Sequence, residues 1–457
     1  MLRLERPIFS GTIFARGSAC LVGGAALAVS GQATAAPAAC PTTNTVYMSG
    51  GSTDIPLIQA VANVLGSAVN IVYQKPGACE GLLYVLGDTG TAVLPDADAA
   101  LLLAPGGPSG GAACTLPTIS VGATTEPAAK IDIAVSDVYT ATCQGSFDPN
   151  LNSVGSSTMT KDYLGPIQAM TFAVASASTE QVISSEAAYM VFGFGAATTA
   201  DTIMPWTVPG DIYVRFWDAA VLEMIATAIN LPAGKWVNAT NKSSAQAPGS
   251  AGTEASDLLT SAGKGTTDTN ATIGILGTSN YVAGLRPLAF QAVGQSCGYL
   301  PDSSSTAHDK LNVRQGRYAI WGPEHLVVNV DSNGNPLGQN SNTASVQLVL
   351  NALVSTSQAP AASSADGGLT DAEEGTIISA ISLPAVGVVP WCAMQVTRTS
   401  EVGPEASFAP PAACSCAFEL ASGAVVPGHT CTACTGTGTG VCTGATPACH
   451  FGYCEAE

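Results

Sequence analysis

The chain has 457 residues, with 15 Lys and Arg against 33 Asp and Glu, for a formal net charge of −18. A field of that sign excludes nucleic acid and anionic membrane surfaces as natural partners. Only 11% of residues are charged, and 49 are Gly and 28 Pro, which excludes a coiled coil and suits an exported protein with many loops.

The first residues carry Arg3, Arg6 and Arg16, then the apolar run Leu21–Val29, then the small residues Ala33-Thr34-Ala35-Ala36. That order predicts a secretory signal peptide cut after Ala35, with an apolar run too short to span a bilayer. Neither Cys20 nor Cys40 has an aliphatic residue three positions before it, so no lipid anchor is expected. Cleavage leaves 422 of 457 residues, enough for two lobes with their own cores. Taking three arginines and one glutamate off −18 leaves −20. No later segment is long and apolar enough to cross a membrane.

The most informative stretch is Thr45–Gln59, TVYMSGGSTDIPLIQ. It predicts a strand over Thr45–Ser49, a turn at Gly50–Thr53, and a helix burying Ile55, Leu57, Ile58, Val61 and Val64 on one face. Such a junction sets the unpaired N–H groups of a helix start beside small hydroxyls, a ready site for an anion. The plainer reading is that Ser52 or Thr53 caps the helix.

A second strand, Asn70–Gln74, leads through the tight turn Lys75–Gly81 into the apolar Leu82–Leu86, so a parallel α/β unit is expected. Asp88–Pro127 reads as a surface insertion. Its one G-x-S-x-G match, Gly107–Gly111, lacks the strand and helix a nucleophile elbow needs. The third strand is Ile131–Val135, ending at Ser136-Asp137. Ligands of open α/β sheets collect beyond strand carboxyl ends, so the three turns after these strands should face one crevice.

Further strands are expected at Gln168–Ser176 (after a loop with Gly165-Pro166), Asp211–Phe216, Thr272–Gly277, Arg286–Ala292, Arg317–Val328 and Val388–Thr399. Helices are expected at Ser184–Phe194, Ala219–Ile229, Glu254–Ser261 and Ser345–Leu353. Asp331–Asn335 is a turn, and Pro336 stands where a calcium loop needs glycine. Asn238, Asn241 and Asn270 lie in sequons, which matter only in a eukaryotic secretory route.

Thirteen cysteines follow the leader: Cys40, Cys79, Cys114, Cys143, Cys297, Cys392, Cys414, Cys416, Cys431, Cys434, Cys442, Cys449 and Cys454. In an exported chain they predict disulfides, with at least one left over because the number is odd. Seven crowd the stretch after Pro410, which is too rich in Gly and Thr to bury a core and needs cross-links. Cys431-x-x-Cys434, beside His429 and His450, offers zinc spacing as the alternative.

These pieces resemble the phosphate-binding proteins that serve ATP-driven uptake, over roughly Thr45–Arg398. Gly51-Ser52-Thr53 looks like that family's first anion-binding turn. Val135-Ser136-Asp137 looks like its second, where an aspartate accepts a hydrogen bond from protonated phosphate. Arg215 looks like the arginine that pairs with the anion. Gly298–Pro301 and Tyr318–His325 suit the second half. After Arg215 the family's Ser, Gly and Thr are replaced by Phe216-Trp217-Asp218-Ala219-Ala220-Val221. There Asp218 is expected to cap the next helix, and Trp217 either enters the core or lines the cleft.

The resemblance implies an α/β, two-lobe type II periplasmic-binding-protein-like fold with mixed sheets and a disulfide-rich C-terminal tail. Residues 41–165 and 310–405 would form one lobe, 166–309 the other and 410–457 the tail. It also implies a small anion such as phosphate as ligand, Ser52, Thr53, Ser136, Asp137 and Arg215 as its binders, and a membrane permease as partner. No cofactor, metal or catalytic residue is expected. The competing reading is a degenerate relative that acts as a surface or matrix protein through its tail. A hydrolase is least supported, because His308 and His325 stand isolated. Asp137 as a mere cap, and Arg215 paired with Asp211 or Glu223, are the plainer alternatives at those positions.

Overall fold

The computed structural model describes residues 37–86, 93–95, 100–121, 124–146, 151–154, 159–195, 198, 202–216, 219–237, 250–262, 269–354, 369–436, 438–439, 442–443 and 448–455. The expected signal peptide, Trp217, Asp218, Asn238 and Asn241 lie outside the described residues. The first elements are β1 (Ala38–Ala39), β2 (Thr45–Ser49), α1 (Ile55–Leu65), β3 (Asn70–Gln74) and α2 (Ala78–Leu86). Next come β4 (Val93–Pro95), β5 (Ala100–Leu103), β6 (Ala112–Thr115), β7 (Thr118–Val121), β8 (Thr124–Lys130), β9 (Ile133–Ser136) and α3 (Thr140–Ser146). The middle of the chain holds β10 (Thr160–Ala175), β11 (Val182–Ser184), α4 (Ser185–Phe194), α5 (Ala220–Ala228), α6 (Ala251–Ala262), β12 (Gly274–Gly277), β13 (Leu285–Pro287) and β14 (Ala289–Gln291). Then follow α7 (Leu311–Arg314), β15 (Trp321–Asn329), α8 (Thr343–Val354), α9 (Asp371–Ile381), β16 (Val396–Thr397) and β17 (Ala406–Ser407). The tail carries α10 (Ser415–Ser422), β18 (Gly438–Thr439), β19 (Ala448–His450) and β20 (Tyr453–Glu455).

One mixed sheet organises the molecule, in the order β1-β6-β5-β3-β2-β9-β15-β10-β12, with β13 also on β10. β2 runs parallel to β3 and β9, so the carboxyl ends of all three lie together. Successive side chains of a strand leave opposite faces. Val46, Met48, Ile71, Tyr73, Ile133 and Val135 enter one core with Leu57, Ile58 and Val61 of α1. Tyr47, Val72 and Ala134 enter the other with Leu82 and Val85 of α2. Cover on both faces is why these strands read as near-continuous apolar runs.

β10 is longer than its apolar stretch predicts. Gly165-Pro166, expected in a loop, lies inside it as a bulge: Leu164 pairs with His325 and Ile167 with Pro323, so two residues face Glu324 alone. Past the bulge, β10 keeps β15 through Ala169, then pairs with β12 from Met170 and with β13 from Ala173.

Several expectations are corrected. The Asp88–Pro127 segment is no mere surface insertion, because β5 extends the main sheet from β3. Asp211–Phe216 forms no strand; only Ile212 makes an isolated bridge, to Ile273. Val388–Thr399 is a 3-10 turn at Trp391–Ala393 and the short β16, not a continuous strand. The polar α9 was not foreseen; its signal is a capping box, Thr370 with Glu373. Six disulfides form: Cys40–Cys114, Cys79–Cys143, Cys392–Cys414, Cys416–Cys431, Cys434–Cys449 and Cys442–Cys454. Cys297 is the one left over among the described residues, and it is exposed. No helix among those residues is long and apolar enough to cross a membrane.

Candidate functional site

The turn after β2 is built by close approach. A Cβ on Gly50 would lie 2.4 Å from the Val135 carbonyl oxygen, and one on Gly81 would lie 3.1 Å from the Gly50 Cα. Glycine at both positions lets α2 seat its first turn against the strand end, where Gly77 N–H donates to Gly50 O. Neither Ser52 nor Thr53 caps α1; Asp54 holds that position without a side-chain cap bond. The Ser52 hydroxyl instead accepts from Ala251 N–H at the start of α6. The Thr53 hydroxyl reaches Asp137 Oδ2 at 3.0 Å and Asp54 Oδ1 at 3.3 Å.

A small cavity of about 40 Å³ opens above this turn. A cavity needs roughly 10–15 Å³ on this measure for one water, so it suits a group of a few heavy atoms. Its lining is Gly51–Thr53, Lys75–Ala78, Arg215–Phe216 and Ala219–Val221. Those segments are the approaches to α1, α2 and α5, so three helix starts face one space. The first N–H groups of a helix have no intrahelical acceptor, and the helix dipole adds partial positive charge there. Arg215, only 7% exposed, adds a full charge. Its Nε stands 3.9 Å from Glu254 Oε2. Glu254 is fully buried and accepts from Ile275 N–H; burial pushes it up to about 8, against the pull of Arg215.

Beneath the cavity lie Asp54, Asp137 and Glu324, all buried, with carboxylate oxygens within 4.8 Å of one another. Gly51 N–H and Tyr73 O–H donate to Asp54 Oδ2 at 2.9 and 3.0 Å. Burial raises the proton affinity of all three carboxyls, and the charge of Asp137 adds to the effect at Asp54 and Glu324. The donors Gly51 and Tyr73 pull Asp54 back toward its ionised form, but burial and the neighbouring carboxyl outweigh them.

Of the five residues read from sequence, Ser52, Thr53 and Arg215 line the cavity, and Asp137 is joined to it through Thr53. Ser136 is not brought in: its hydroxyl donates to Val138 O, closing the strand end. Sequence reasoning missed Asp54, Tyr73, Glu254 and Glu324. For Glu324 the signal was present, a carboxylate inside the apolar run Trp321–Val328.

His325 is not isolated. It is fully buried, with Nδ1 2.7 Å from Asp162 Oδ2, and no nucleophile joins the pair among the described residues. In the tail, Cys416, His429 and Cys431 lie close enough to hold a metal, and so do Cys434, Cys442 and Cys449. Their sulfurs are consumed in disulfides. His429 instead meets Glu419 Oε2 at 2.8 Å.

No family model and no curated protein matches the chain. Among solved structures it is similar to a high-affinity periplasmic phosphate-binding protein (PfluDING) bound with phosphate, at 11% identity and TM-score 0.40, over 76% of this chain and 91% of that one. An ABC-type phosphate transport receptor from Vibrio cholerae gives 10%, 0.36, 66% and 93%. An OxyR protein from Corynebacterium glutamicum gives 8%, 0.32, 70% and 67%. The likeness to phosphate-binding proteins expected from sequence is therefore found, at a level that decides neither ligand nor function.

Proposed function

We propose that this protein binds a small oxyanion, phosphate being the best fit, in the cavity above Gly51–Thr53. The observation that carries this reading is the convergence of three helix starts and the Arg215 guanidinium on one space of about 40 Å³. Backbone N–H groups at helix starts replace the hydroxyls expected after Arg215, since Ala219–Val221 line the cavity at the head of α5. Charge-assisted hydrogen bonds in such a partly closed site are roughly twice as strong as neutral ones. Arg215 and Lys75 both line the cavity, and its small volume excludes organic anions of drug size.

The chain works as a binding protein outside the cytoplasm. Six disulfides support that placement, because they persist in oxidising compartments. Residues 41–165 with 310–405, and 166–309, act as two lobes about β10, and closure presents the loaded form to a permease.

Isothermal titration of the folded protein with phosphate and sulfate tests the reading. Phosphate binding that weakens about 100-fold or more in Arg215→Ala, a loss of roughly 3 kcal/mol for a charge-assisted contact, supports it. Absence of binding heat for both anions at several temperatures, on protein shown to be folded by circular dichroism, overturns it.

A further inference from the structure

A second cavity, of about 380 Å³, is walled by the turn after β12, by β13, by the stretch before α7 and by the loop after α9. It shares no lining residue with the cavity above Gly51–Thr53. Sites for small organic molecules run from roughly 300 to 1,000 Å³ and combine apolar walls with a few placed polar groups.

The polar groups here divide into those already used and those left over. Thr278 O–H donates to Gly387 O, and Ser279 O–H donates to Thr53 O. Thr171 O–H donates to Leu276 O, so the Tyr281 O–H, at 2.6 Å, donates to Thr171 Oγ1. Lys310 stands at φ 44°, a left-handed conformation uncommon for a residue with a Cβ. Its N–H and its ammonium both meet Asp302 Oδ1, at 2.8 and 3.0 Å, so that pair is closed on itself.

Arg286 is different. Its Nη2 donates to Ser178 O and Glu180 O, and its Nη1 to Pro287 O, all of them backbone carbonyls. Three bonds from the five N–H groups of a guanidinium leave two donors. Among the described residues no carboxylate forms an ion pair with it, and the Glu180 carboxylate acts on its charge only at longer range. Lys310 and Asp302 cancel, which leaves the Arg286 charge unopposed in the lining, beside the exposed His308. The apolar part of the lining is Leu285, Pro287, Pro384 and Ala385.

We propose that this cavity is a second ligand site, for an organic carboxylate with an apolar body. A guanidinium fixed by three carbonyls is pre-organised, and its planar fork matches the two oxygens of a carboxylate. An inorganic ion would leave the apolar lining facing water. A neutral apolar ligand would leave the Arg286 donors unpaired. The proposal stands apart from the anion-binding reading above.

Titration calorimetry with 2-naphthoate, octanoate and the neutral 2-naphthamide tests it, on wild type and variants shown to be folded by circular dichroism. The acids should bind saturably, and naphthoate about tenfold or more tighter than naphthamide. Arg286→Gln should weaken naphthoate about tenfold or more and leave naphthamide unchanged. Ala385→Trp, at an exposed position of the wall, should weaken both by filling the space. Inorganic phosphate in excess should not displace naphthoate. Absence of saturable binding of either acid up to about 5 mM overturns the proposal. So does naphthoate binding that either substitution leaves unchanged, or that phosphate displaces. Where Arg286→Gln does not fold, Ala385→Trp and the phosphate competition decide.

Discussion

The tail offers the sharpest test of what holds this molecule together. Arg314 is 1% exposed, and its Nη1 meets Glu419 Oε1 of α10 at 3.0 Å, while its Nε donates to Ala393 O at 2.9 Å. Glu419 is also 1% exposed and keeps two other donors on Oε2, from Val426 N–H and His429. Arg314→Met strands the Glu419 charge and the Ala393 carbonyl. Breaking one side of a buried pair costs about 3–5 kcal/mol. The two remaining donors on Glu419 place the loss at the lower end, about 3 kcal/mol. The Cys392–Cys414 disulfide still ties down the start of α10, so the loss takes the form of local opening of the helix. Amide hydrogen exchange over Ser415–Ser422 should then speed up about 100-fold. Arg314→Met with Glu419→Met removes both charges, and such replacements by apolar groups are often neutral, so exchange should return most of the way. An exchange rate within about threefold of wild type in the single variant would refute the argument that this pair docks the tail.

Thr53→Val keeps the shape of the side chain and removes the donor shared by Asp137 and Asp54; an unfolding free energy lower by about 1–3 kcal/mol, measured in urea, is expected. Gly50→Ala would drive a Cβ to 2.4 Å from the Val135 carbonyl and 2.6 Å from the Tyr73 hydroxyl. Neither can retreat far, so a loss of about 1–3 kcal/mol or more and weakened anion binding are expected, and unchanged values would count against the packing described. Glu254 holds its proton up to about 8 because burial dominates, against an ordinary 4.5. The folded chain therefore binds more protons than the unfolded chain between those values, so its stability falls as pH rises through that window. Glu254→Gln should flatten part of that slope in thermal unfolding between pH 5 and 8; an equal slope in both proteins would contradict it.

Where local pattern and burial agree, the sequence was legible. Thr45–Ser49, Asn70–Gln74 and the helix after Ser184 carry periodicity and punctuation that tertiary contacts do not override, and they stand within a residue of expectation. The carboxyl-end rule brought Thr53, Asp137 and the Lys75 turn to one place without any contact being known. What stayed hidden depended on pairing across the chain. Ala100–Leu103 is a strand because β3 offers it a free edge, and nothing inside its four residues announces that. Asp211–Phe216 has the alternation of a strand and finds a neighbour only at Ile273. The bulge at Gly165-Pro166 looks like a loop until β15 is laid beside it, with Glu324 opposite. Ser136 shows the opposite failure: a hydroxyl at a strand end was read as a ligand donor, and it satisfies the chain's own Val138 carbonyl.

The proposed anion site, in a chain of net charge −18 and with three carboxyls under its floor, needs a physical reconciliation. Distance resolves the first part. Exposed charges more than about 8 Å away are largely screened at physiological ionic strength, so the outer field slows the approach of an anion more than it weakens the bound state. Protonation resolves the second. Fully ionised, three buried carboxylates within 4.8 Å would repel one another as well as any anion; holding protons, two of them become donors. The charge left on the cluster is then set against Arg215, Lys75 and three helix starts.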